Sequence, residues 1–129
     1  MPFTPFSGNQ TISGNLSVSG TAATGALTAA SVTTPGNVDV NAAGSGLRVA
    51  EGANAKQGTF ALSGAATTTV ANTSVTANSR ILLSTQALGT VTAASTLAVS
   101  ARVAGTSFTV TPSQATDTST IAFEIFEPG

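Results

Sequence analysis

Apolar and polar residues alternate along the C-terminal part of the chain, in short runs separated by turn-forming clusters. The runs are "TFALSG" around Phe60, "TTTVAN" around Val70, "RILLSTQ" from Arg80, "TLAVSARVAG" from Thr96, "TSFTVTP" from Thr106 and "TIAFEIFEP" from Thr120. A period of two sends successive side chains to opposite faces of a strand, so each run offers one apolar face. Leu97, Val99, Ala101 and Val103 make one such face, and Ile121, Phe123 and Ile125 another. Clusters such as "TANS" and "SQATDTS" interrupt the runs, and no segment carries a sustained helical period behind a capping box. Short strands at this spacing predict a small antiparallel β-sandwich, jelly-roll-like, over residues 56–129. Its expected core is Phe60, Leu62, Val70, Ile81, Leu83, Leu97, Val99, Phe108, Val110, Ile121, Phe123 and Ile125.

Residues 14–55 have a different texture. Gly14, Gly25, Gly36 and Gly46 recur roughly every eleven residues, as in a unit stacked on copies of itself. Apolar couplets follow them: Leu16 and Val18, Leu27 and Ala29, Val38 and Val40 and, shifted by one, Leu47 and Val49. Bounded by Gly, Asn or Pro, each couplet predicts a short strand and a turn, with Pro35-Gly36 the clearest turn signal. Two buried aliphatic side chains are worth about 3–6 kcal/mol at best, too little to offset the backbone entropy of ordering such a unit alone. Identical chains wound about a common axis would multiply the couplets and remove open strand edges. Leu16, Val18, Leu27, Val38, Val40, Leu47 and Val49 are thus the expected subunit interface of an intertwined stalk. Three chains are the simplest closed arrangement.

The first residues, "MPFTPF", place Phe3 and Phe6 on a segment that Pro2 and Pro5 keep out of a helix. Two readings stand: the rings tuck back onto their own fold, or residues 1–13 form an arm whose rings anchor in a groove on a partner. Three segments result: arm 1–13, stalk 14–55 and sandwich 56–129.

Composition narrows the chemistry. The 129 residues contain no Cys, His, Trp or Tyr, and 7% are charged, for a net charge of −1. Disulfides and thiolate metal sites are excluded, as are the commonest general base and the best aromatic platforms for sugars and bases. No basic footprint for nucleic acid exists. No apolar run approaches the length of a membrane-spanning helix, and "MPFTPFSGNQ" lacks the basic and apolar regions of a signal peptide. The expected setting is a cytoplasm until assembly. With 41% hydrophobic residues and so little charge, self-association is expected rather than disorder.

The titratable groups are Asp39, Glu51, Asp117, Glu124, Glu127, Arg48, Lys56, Arg80 and Arg102. Glu124 and Glu127 are three apart on a predicted strand, so they point to opposite faces and make no acid–base pair. Serines and threonines lack an activating base, and no calcium-loop spacing is present. Gly44-x-Gly46 has no lysine and no following helix for a phosphate loop. Asn9, Asn15 and Asn72 begin N-x-Ser/Thr triplets, which read as chance in so Ser/Thr-rich a chain. Arg80 and Arg102 read as surface or interface charges, with a cross-subunit pair to Glu124 or Glu127 as the sharper alternative. No catalytic residue, metal site or cofactor is expected.

The stretch "VANTSVTANSRILLSTQ…LAVSARVAGTSFTVTPSQATDTSTIAFEIFEP", Val70 to Pro128, resembles a module of tailed-bacteriophage virion proteins. "GLRVAEGANAKQGTF" is similar to the lead-in before it, and "GNLSVSGTAATGALTAASV" to the repeats of phage fibres and spikes. Such modules occur at fibre and spike ends and as small separate head proteins, so the resemblance implies a virion structural role and trimers. A long fibre needs a shaft and a tail anchor, for which 129 residues leave little room. The first expectation is therefore a homotrimeric capsid decoration, or cement, protein on the capsid exterior. It would be assembled in the host bacterial cytoplasm and bridge the major capsid protein through Phe3 and Phe6. The alternative is a fibre or spike tip, or head fibre, contacting host surface glycans, against which the missing Trp and Tyr count. A Thr-rich ice- or surface-binding solenoid would need Thr-x-Thr in register at every repeat, which residues 14–52 do not keep.

Overall fold

A strand is stable only when its backbone groups find a partner and its apolar face a cover. The computed structural model describes residues 13–15, 17, 28–40 and 42–129, in two units, Met1–Asp39 and Val40–Gly129. In the first, the Thr34 hydroxyl donates to the Gly36 carbonyl across the Pro35-Gly36 bend at 2.9 Å. Residues 28–40 include no strand, and Val38 is 73% exposed.

The second unit opens with a turn at Ala42–Ser45, closed by Ser45 N–H to the Ala42 carbonyl at 3.0 Å. All six predicted strands then follow: β1 (Gln57–Ala61), β2 (Thr68–Ala71), β3 (Arg80–Ala87), β4 (Leu97–Val103), β5 (Ser107–Pro112) and β6 (Thr120–Phe126). They form two antiparallel three-stranded sheets, β1-β6-β3 and β2-β5-β4. The described fold is all-β, as expected, although six strands are fewer than a jelly roll's eight. Only β4 and β5 are joined by a hairpin, its turn taken by Gly105 at φ 68°. The other connections cross from sheet to sheet, which closes the sandwich at both ends.

The sheets meet over Leu62, Val75, Phe108, Val110, Ile121, Phe123 and Ile125, flanked by Phe60, Val70, Ile81, Leu83, Leu97 and Val99. Phe108 packs edge-on against Phe60 at 6.0 Å between ring centroids and lies 5.4 Å from Phe123. Opposite Phe123 on β1 stands Gly58, where an added Cβ would come within 3.2 Å of the ring. A glycine there lets the aromatic ring lie over the neighbouring strand.

The even alternation expected through β4 does not hold. The register shifts between Val99 and Ala101, leaving Ser100 unpaired as a bulge. A bulge reverses which face the following residues share. Val99 pairs with buried Val110, but Ala101 pairs with outward Thr109 and Val103 is exposed. A second bulge between Thr85 and Ala87 adds Gln86 to β3.

Buried polar groups tie the crossing loops together. Asp117, fully buried, accepts from Ser119 N–H at 2.8 Å and from the Ser95 hydroxyl, joining the β5–β6 and β3–β4 loops. The Ser119 side chain first and the Ser95 hydroxyl next, with the Ser119 N–H adding less, hold its carboxyl below its ordinary pKa of 3.8 despite burial. Gly89, whose N–H donates to the Ser119 hydroxyl, lies so close to Thr118 that a Cβ would collide with its backbone. At the opposite end, buried Asn72 donates to the Ala55 carbonyl at 2.7 Å and accepts from Ser74 N–H at 2.9 Å. That engagement fits the reading of its N-x-Ser triplet as chance.

Candidate functional site

Glu124 and Glu127 do separate, as their spacing predicts, and each takes a distinct role. Glu127, just past β6, accepts from Lys56 Nζ at 2.8 Å, Ser79 Oγ at 2.6 Å and Thr76 Oγ1 at 2.7 Å. These three donors, Lys56 foremost, lower its pKa from 4.5 to about 2. They fasten the C-terminal tail to the β2–β3 loop and the lead-in of β1. Lys56–Glu127 is the ion pair seen among the described residues, so of the two acids expected to meet Arg80 or Arg102 across subunits, Glu127 is already engaged by an intrachain partner.

Glu124 belongs to the outer face of the β1-β6-β3 sheet. The register aligns Gln57, Glu124 and Leu82 in one row and Thr59, Ala122 and Ser84 in the next. Because Ala122 is small, the centre of this face sinks between its neighbours. The resulting hollow is about 620 Å³, with Glu51 at its β1 side and Gln86, set out by the β3 bulge, at its far side. Glu51 is placed by a parallel bridge to Gln57. Gln57 Nε2 donates to Glu124 Oε1 at 2.5 Å. The side chains of Thr59, Ser84, Gln86 and Glu51 make no hydrogen bond to another described residue.

The other sheet's outer face is different. There Thr69 and Thr109 hydroxyls pair at 3.2 Å, and Thr111 donates to Ser100 Oγ at 2.9 Å. Its hydroxyls are spent on one another. In the hollow on the first sheet, the side chains of Thr59, Ser84, Gln86 and Glu51 remain open.

Sequence reasoning did not single out Gln57, Thr59, Ser84 or Gln86. Outward polar positions on a strand look alike until the pairing of β6 between β1 and β3 brings them into rows. The expected interface residues Val38, Val40, Leu47 and Val49 are exposed and outside any strand, Leu47 at 85%. The short strands predicted for these couplets are thus absent within one chain, where they have no neighbour to pair with. Phe3, Phe6, Leu16, Val18 and Leu27 lie outside the described residues. Among the described residues no group of three or more acidic side chains is placed to hold a metal ion.

A two-sheet sandwich with crossing loops sewn by polar side chains, preceded by a glycine-punctuated segment, defines a small all-β module. Residues 54–126 match the family model of the K1 capsule-specific polysaccharide lyase, C-terminal domain. The match spans more than half of the chain, which belongs to that family. No curated protein and no solved structure matches. The family match is consistent with the virion-protein resemblance of Val70 to Pro128.

Proposed function

We propose that the chain is a homotrimeric structural protein of a phage fibre or spike, its sandwich a non-catalytic terminal module that meets host surface glycans. One observation carries this reading: the module matches the C-terminal domain of a protein named for a capsule polysaccharide. The exposed couplets support the trimer. Val38, Val40, Leu47 and Val49 present apolar side chains to solvent in a single chain, and apolar surface of that kind favours association. Winding three copies together pairs the strands that one chain leaves unpaired.

A cement protein on the capsid exterior, held to the major capsid protein by Phe3 and Phe6, would use the same trimer on another part of the virion. The family match favours the spike. Fluorescently labelled full-length protein should bind host cells and compete with phage for adsorption. Protein that ignores host cells but coats phage heads lacking it would overturn the reading.

A further inference from the structure

The hollow on the outer face of the β1-β6-β3 sheet opens beside the last apolar couplet of the stalk. Glu51, at its β1 side, is placed by the bridge to Gln57, and Val49 lies two residues before it. At about 3.3 Å per residue, the two are within roughly 7 Å along the chain. We infer that the hollow is a subunit contact completed by a second copy of this chain: Arg48 of one copy enters the hollow of the next and pairs there with Glu51 and Glu124. The inference rests on the homotrimer reading above and names its contact.

Leu47 and Val49 are exposed in a single chain. When residues 46–50 pair with other copies as a strand, their alternate side chains take opposite faces. Leu47 and Val49 then share the face toward the common axis, and Arg48 takes the other, toward a neighbouring copy. Within one chain Arg48 makes no ion pair with Glu51 or Glu124. Each copy gives its Arg48 to the next and receives one from the previous, a head-to-tail contact that closes on itself around three copies.

Charge chooses this occupant. Glu51 and Glu124 line the hollow, and no Lys or Arg does. Of the four cationic side chains, Lys56 is taken by Glu127, and Arg48, Arg80 and Arg102 form no ion pair among the described residues. Arg80 stands opposite Phe126, one row beyond Glu124, and Arg102 belongs to β4 of the other sheet. Arg48 alone adjoins the stalk couplet. Gln57 holds one oxygen of Glu124, which leaves the other for a guanidinium in a charge-assisted bond. The arginine stem has Ala122 and the exposed Leu82 to lie on, as long cationic side chains cover apolar surface.

The test follows the trimer of the full-length protein through a dilution series, by light scattering and native mass spectrometry. Arg48→Glu and Glu124→Arg should each weaken association about tenfold, the worth of three exposed ion pairs, and high salt should narrow the gap to the unaltered protein. Arg102→Glu, the same change of charge away from the hollow, should leave the trimer as it was. Arg48→Glu combined with Glu124→Arg should recover most of the loss. Because the chain has no cysteine, Arg48→Cys with Glu124→Cys gives a second reading that does not depend on the exchanged charges. A short bismaleimide should convert that variant to covalent trimers on a denaturing gel, and neither single-cysteine variant. The inference falls if Arg48→Glu weakens the trimer no more than Arg102→Glu does, or if a folded charge exchange recovers nothing. It falls too if the bismaleimide joins residues 48 and 124 only within one copy. A monomeric unaltered protein would defeat the homotrimer reading and this inference with it, whereas a trimer indifferent to residue 48 would defeat this inference alone.

Discussion

Replacing Phe108 with alanine removes the most enclosed ring of the sandwich. Phe108 is fully buried on the central strand β5 and touches both other core rings across the sheets. Loss of a buried phenylalanine costs about 3–5 kcal/mol, a large part of the roughly 5–15 kcal/mol that a domain has in all. Part of that loss is ring–ring attraction. With centroids 5.4 Å apart and planes at 59°, Phe108 and Phe123 should show a coupling of about 0.5–1.5 kcal/mol in a double-mutant cycle. Phe126→Ala is the control, because that ring is exposed beyond the core; it should cost about 1 kcal/mol or less. Urea unfolding followed by circular dichroism, at one fixed protomer concentration, reads all of these. A Phe108→Ala loss below about 1 kcal/mol, or an equal loss for Phe126→Ala, would refute the packing described here.

Other predictions concern the loops and the stalk. Glu127 has a folded pKa depressed from 4.5 to about 2, so its stabilisation is complete above the higher value and fades as pH falls through the lower. Asp117, lowered from 3.8, acts in the same direction. The melting temperature should therefore stay level above about pH 5 and fall in acid, with a smaller fall in Glu127→Gln; thermal melts across pH check this. Asn72→Ala removes a buried side chain and leaves the part-buried carbonyl of Ala55 without its donor, and should cost about 1–3 kcal/mol, measured by urea unfolding. Gly89→Ala forces the β3–β4 loop off Thr118 and should lower the melting temperature, whereas Gly46→Ala, with open space around it, should not. Val38→Asp puts a charge into every copy of the proposed trimer axis and should reduce trimer in native mass spectrometry, while Thr67→Asp should leave it intact.

Strand positions were legible because apolar residues at period two survive wherever one face is buried. Ile121, Phe123 and Ile125 read directly as core, as did Phe60, Phe108 and Val110. Val75 did not, because it is a single apolar residue in a polar loop and reaches the core only when Gly105 binds its carbonyl. Ala101 and Val103 misled, because nothing local to "AVSARV" announces the bulge at Ser100. Asp117 and Asn72 looked like ordinary turn residues; their burial comes from loops distant in sequence closing over them. The hollow was illegible for the same reason, since its rows exist only once the last strand pairs between the first and third.

The most direct test of a host-facing spike module is where it sits on the phage. Immunogold labelling of intact virions, with antibody raised against residues 54–126, should place gold at the distal end of the tail. Gold distributed over the head, with bare tails, would contradict the account.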